Sequence, residues 1–197
     1  MVDERSSHPD GVNERANSGA EVKIRPIRPD DAESLVQFHG HLSALSVYRR
    51  YFSPHPLLTA AEVQHLTHVD YDARLALVAE CDGQLIAVGR YERLPGTTEA
   101  EVAFVVADEF QHLGIGTLLL EHLAEAALQH GVATFVADTL ADNHGMIDVF
   151  LKSGFAVTTS RQDGTVSVRF PIEPDEHYVQ TRHRRHHGKM ETVDGPC

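Results

Sequence analysis

Cysteine is almost missing from this 197-residue chain, and the only two, Cys81 and Cys197, cannot build a disulfide framework. A reducing cytosol is the expected setting. Positive charge is also short: 17 Lys and Arg stand against 29 Asp and Glu, for a formal net charge of -12. General nucleic-acid binding needs a basic face to neutralise phosphates, so this balance speaks against it. No apolar run approaches the length that spans a bilayer, and Met1 to Ala20 lacks the apolar core of a secretory leader. The expectation is a cytoplasmic protein with neither nucleic acid nor membrane as a partner. No Cys, His and carboxylate set has ligand spacing, so no metal is expected, and His183-Arg184-Arg185-His186-His187 reads as a solvated tail. Hydrophobic residues nevertheless make up 42% of the chain, enough for one domain with a buried core.

Ser, Gly, Asn and Pro crowd residues 1–20, which read as a disordered N-terminal tail, and 174–197 reads as a disordered C-terminal one. The domain is then expected over 21–173. Strand patterns run over EVKIRPI from Glu21, RLALVAE from Arg74, LIAVGRYERL from Leu85, EAEVAFVV from Glu99 and ATFVADTL from Ala133. The segments from Phe155 and Val166 form a closing hairpin. Asp82-Gly83 signals a tight turn between the second and third of these strands. Helix starts stand at the Asp30–Glu33 and Thr59–Glu62 capping boxes, and another helix covers Ala44 to Tyr51. A fourth helix follows Gly116 with Glu121, Glu125 and Gln129 as its wet stripe, and Asn143 or Asp142 caps a fifth. This order predicts an α+β domain, a mixed, mostly antiparallel central sheet of about seven strands flanked by helices.

The stretch Glu109-Phe110-Gln111-His112-Leu113-Gly114-Ile115-Gly116-Thr117 joins an apolar strand to the long helix by a Q-x-x-G-x-G turn. Glycines at 114 and 116 let a ligand approach the backbone, and the helix start offers unpaired N–H groups to a phosphate. A tight strand-to-helix turn without a ligand is the alternative. In the preceding strand, Glu101 shares a face with Ala103 and Val105, while Ala100, Val102 and Phe104 take the other. A carboxylate beside an apolar row is a candidate general base, with a solvated strand-end glutamate like Glu99 as the alternative.

The strand Ala100 to Val106, the Gln111-x-x-Gly114-x-Gly116 loop, Asn143-His144-Gly145-Met146 and Lys152-Ser153-Gly154-Phe155 together resemble the GNAT superfamily of acetyl-CoA-dependent N-acyltransferases, over about 22 to 172. The resemblance implies the GNAT fold and acetyl-CoA as cosubstrate. It gives Gln111, Leu113, Gly114, Ile115, Gly116 and Thr117 to the pyrophosphate, and Val105 and Asn143 to the pantetheine arm. Residues 66–79, with Tyr48-Arg49-Arg50-Tyr51-Phe52 upstream, are similar to the catalytic domain of bacterial Pat-type protein lysine acetyltransferases, which modify acyl-CoA synthetases. That likeness implies a protein lysine acceptor, Glu101 as general base, and an acceptor wall around residues 48–52. A small-molecule amine acetyltransferase and a non-catalytic acyl-CoA sensor are the other readings. Two departures stand out: His112-Leu113 replaces the family's usual Gly-Arg, and Phe150 occupies the position where many members carry a proton-donating tyrosine.

Overall fold

A computed structural model describes residues 11–187. Strands β1 (Val12–Arg15), β2 (Glu21–Pro26), β3 (Arg74–Cys81), β4 (Gln84–Arg93), β5 (Glu99–Val106), β6 (Thr134–Leu140), β7 (Thr158–Gln162) and β8 (Thr165–Pro171) form one sheet in the order β1-β2-β3-β4-β5-β6-β8-β7. Every neighbouring pair is antiparallel except β5 and β6. A parallel pair needs a crossover, which α4 (Ile115–Gln129) supplies. Helices α1 (Ala32–His41), α2 (Ala44–Tyr51), α3 (Ala60–Thr67), α5 (His144–Leu151) and α6 (Glu176–His187) complete the chain. The tight hairpins fall on Asp82-Gly83 and Asp163-Gly164, all four residues at positive φ.

Strand alternation sorts the apolar residues onto two faces. Ala100, Val102 and Phe104 pack with Leu119, Leu120 and Leu123 of α4 in the larger core. On the opposite face Val78 and Val88 meet Ile27, Leu35 and Phe38, with Val105 packed alongside. Between the layers Arg25 of β2 bridges two carboxylates. Its guanidinium donates to Asp31 Oδ1 and Oδ2 at 2.7 and 2.8 Å and through Nε to Glu80 Oε1 at 3.1 Å, with the three side chains 10–19% exposed. The Asp31 bonds hold Arg25 well above its usual range. Burial pushes Asp31 up, but Arg25 and the Arg28 N–H pull it below the ordinary carboxylate value.

Four expectations are corrected. The disordered N-terminal tail over 1–20 fails for residues 11–20, because β1 pairs antiparallel with β2 and Ala16 is fully buried; residues 1–10 lie outside the described region. The C-terminal tail contains α6, whose Tyr178 ring stacks 4.2 Å from Phe155 and whose Arg182 pairs with Glu121 and Glu125. Residues 188–197 lie outside the description. The same contact overturns the wet stripe of α4, since Glu121 is 1% exposed beneath that arginine. The mixed, mostly antiparallel sheet of about seven strands is found as expected, with eight strands among the described residues, β1 included. Cys81 is disulfide-bonded, so the cysteine count does not carry a reducing setting.

Candidate active site

Where β5 and β6 part, the sheet opens. Their parallel register holds only at Glu99↔Thr134, Ala100↔Phe135 and Glu101↔Val136. Beyond these pairs β5 runs on to Val106 and β6 to Leu140 without each other, and a cleft of about 820 Å³ enters the gap. Separated strands leave backbone N–H and C=O groups for an extended ligand to pair with. Glu101 stands at the fork. It is exposed, lines the cleft, and among the described residues has no hydrogen bond or ion pair. Its neighbour Glu99, by contrast, is taken by Arg169.

At one end of the cleft lies the glycine loop. Gly114 adopts φ 84° as the N-cap of α4, a conformation that glycine accepts without a Cβ penalty. Among the described residues no backbone hydrogen bond engages the N–H groups of Gly114, Ile115 or Gly116. They are the orphan donors of a helix start, reinforced by its dipole. Gly114, Ile115, Gly116 and Thr117 all line the cleft, with the Ile115 side chain buried. A Cβ on Gly116 would come 3.2 Å from Val149 Cγ2, so the loop sits tight against α5.

Other expected ligands are placed differently. Thr117 donates its N–H to Gly114 O at 3.1 Å, so this amide is already engaged. Gln111 lines the cleft, but its carboxamide donates to Ser46 Oγ at 3.0 Å and Val106 O at 3.1 Å, tying the loop to α2. Leu113 is absent from the lining: its side chain packs on the larger core and its carbonyl accepts from Asn17 N at 2.8 Å. His112 faces the cleft instead, at φ 63°. Asn143 lines the cleft and caps α5, its Oδ1 accepting from Met146 N at 3.3 Å. Asn143→Ala is expected to lose about 1 kcal/mol of stability, which a thermal melt reads as a drop of roughly 2–4 °C.

The wall facing β5 comes from α2. Asp108 accepts from Ser43 N and Oγ and from Ser46 Oγ, fixing the start of that helix beside the loop. Arg49 reaches across and donates to Asp142 O at 3.0 Å, next to Asn143. Arg50 lines the cleft near Glu101, and burial lowers its pKa while that carboxylate opposes the shift. On β4, burial and the like charge of Arg50 push Arg90 down to about 10. Of the two only Arg50 lines the cleft, and its positive charge disfavours an ammonium beside it and favours a neutral amine.

Two residues of the cleft bear on the acyl-thioester ligand that the resemblance implies. Thr139 of β6 lines the cleft at 2% exposure with its hydroxyl unpartnered, as a group awaiting a polar ligand would be. Phe150 also lines the cleft, fully buried with its ring 6.2 Å from Phe104 and 5.8 Å from Phe170. It is a packed wall without a proton to give. Among the described residues no cluster could hold a metal, and no helix is long and apolar enough to cross a membrane.

Sequence reasoning found the strand of Glu101 and the glycine loop but missed Asn17, Arg49's link and Thr139. Nothing local distinguishes a Thr in a strand pattern as a cleft residue, and Asn17 fell in the supposed tail. The comparisons agree with the geometry. Residues 39–155 match the model of the Acetyltransferase (GNAT) family. The chain is 31% identical over 156 residues to Acetyltransferase PA5475 of Pseudomonas aeruginosa, covering 77% of this chain and 84% of that one. It is 32% identical over 163 residues to Acetyltransferase Pat of Mycolicibacterium smegmatis, covering 81% of this chain but 48% of Pat, so it spans about half of that relative. The GNAT domain of S. lividans PAT superposes with a TM-score of 0.78 at 36% identity, covering 87% of this chain and 99% of that domain. A glycine loop at a helix start, a sheet forked beside it and these likenesses converge on one assignment: the chain belongs to the Acetyltransferase (GNAT) family.

Proposed function

We propose that this acetyltransferase moves the acetyl group of acetyl-CoA to a protein lysine, such as that of an acyl-CoA synthetase, within a ternary complex and with Glu101 as base. The carrying observation is Glu101 itself, unpaired at the fork of β5 and β6 while Glu99 is held by Arg169. In this reading the pyrophosphate lies on the amides of Gly114, Ile115 and Gly116. Thr117 and Gln111 shape the loop, with Leu113 supporting it from the core, and the pantetheine arm runs between Val105 and Asn143. A cytoplasmic setting belongs to the same proposal. The likeness to Pat supports the lysine acceptor.

A lysine amine of pKa about 10.4 is almost all ammonium at neutral pH, and reaching its free form costs on the order of 4–5 kcal/mol. Glu101 takes that proton, and Arg50 in the cleft wall lowers the cost by disfavouring the cation. The amine nitrogen then attacks the thioester carbonyl carbon. A C–N bond forms, a backbone N–H near Val105 holds the developing oxyanion, and the C–S bond breaks. The excess proton left on the attacking nitrogen passes through water to the departing thiolate, because Phe150 has none to supply.

Mass spectrometry of an acyl-CoA synthetase incubated with the protein and acetyl-CoA tests the acceptor. One added acetyl group on a single lysine is the expected result. Acetylation confined to small amines run in parallel would contradict the protein acceptor and keep the chemistry.

A further inference from the structure

The N-terminal arm brings one side chain to the loop that has nothing to do with the arm's own folding. Residues 12–15 pair with β2, Glu14 meets His122 of α4 at 3.0 Å, and Ala16 is fully buried, so the turn that follows is held in place. That turn closes through Ala16 N to Ala20 O at 2.8 Å and Gly19 N to Ala16 O at 3.0 Å. Its side-chain help comes from Ser18, whose hydroxyl accepts from Ala20 N at 3.4 Å. The Asn17 carboxamide takes no part, although asparagine in a turn commonly bonds the backbone two residues on. Instead Asn17 lines the cleft. Its backbone N–H anchors to Leu113 O, and a Cβ on Gly114 would fall 2.7 Å from its Nδ2 and 2.8 Å from its Cγ. The amide therefore lies against Gly114, beside the free N–H groups of the helix start, in a loop with no lysine or arginine of its own.

We propose that Asn17 is a cosubstrate-binding residue whose Nδ2 donates a hydrogen bond to the diphosphate of acetyl-CoA. The proposal rests on the reading of the cleft as the acetyl-CoA site. Asn17 adds a neutral side-chain donor on the Gly114 side of the loop, beside the His112 ring and the Thr117 hydroxyl that also line the cleft. A neutral amide serves here without adding charge, whereas a carboxylate at the same place would repel the diphosphate.

Calorimetric titration of acetyl-CoA into the full chain, its Asn17→Ala variant and its Asn17→Asp variant tests this at low and high salt. Asn17→Ala is expected to weaken binding roughly three- to tenfold. Asn17→Asp is expected to weaken it about tenfold further at low salt, the extra loss shrinking as salt screens the repulsion. Both variants should melt as the parent does, because the side chain is exposed. Wild-type affinity in both variants, or an equal and salt-independent loss in both, would overturn the role of Asn17 while leaving the cleft assignment standing. Absence of binding by the parent chain would overturn the cleft assignment and this role together.

Discussion

Glu101→Gln is expected to lower acetyl transfer to lysine by roughly 10²–10⁴-fold, the usual contribution of a positioned general base, with acetyl-CoA affinity unchanged. Glutamine keeps the shape and removes only the proton acceptor. The exposed side chain makes no hydrogen bond among the described residues, so the substitution disturbs no packing and the thermal melt should not move. Glu99→Gln is the matched comparison. It stands two residues away on the same strand, but its carboxylate is held by Arg169 and points to structure, not chemistry. Transfer by that variant should match the parent. Steady-state rates of the two variants check the pair: equal rates for Glu101→Gln and the parent would place the base elsewhere.

Arg25→Met is expected to destabilise the fold by about 2–4 kcal/mol, because it leaves the buried Asp31 and the half-buried Glu80 without their counter-charge. Arg25 alone bridges Asp31, which precedes α1, and Glu80 on β3, so its loss loosens the start of α1 from the sheet. The effect has a pH signature. Asp31 sits below its ordinary value in the folded chain, so its pairing stabilises the protein above the unfolded carboxylate pKa of about 3.9. That stability disappears as pH falls through the lowered folded value. Denaturant melts across pH should therefore show the largest gap between parent and variant near neutrality, closing as pH drops below about 4. A gap constant with pH would mean that Arg25 matters for its packing alone.

Much of the site was legible because its signals are local. The Thr59 box forms as read, Thr59 Oγ1 accepting from Glu62 N at 3.2 Å while Glu62 accepts from Thr59 N. Asn143 caps α5, and Gly114 marks the start of α4. Period-two alternation placed Glu101 with Ala103 and Val105, and the face they share is the one that meets α1 and α3. What escaped depends on distant partners. Four residues, Val12–Arg15, carry too little pattern to announce a strand, and β1 exists because β2 offers it an edge. Glu121 looked wet because the cation that covers it, Arg182, belongs to a polar helix with no apolar stripe to betray it. Asp31 sits in a capping-box pattern at the start of α1, yet its carboxylate goes to Arg25 and to Arg28 N at 2.7 Å. Gln111 matched a ligand motif, and its side chain instead ties the loop to α2.

A crystal structure of the protein with acetyl-CoA tests the central claim most directly. The account predicts the diphosphate on the amides of Gly114, Ile115 and Gly116, the arm between β5 and β6, and the thioester carbonyl at the fork within reach of an amine beside Glu101. Acetyl-CoA bound outside the fork, or with its thioester on the far side of the sheet from Glu101, would contradict it.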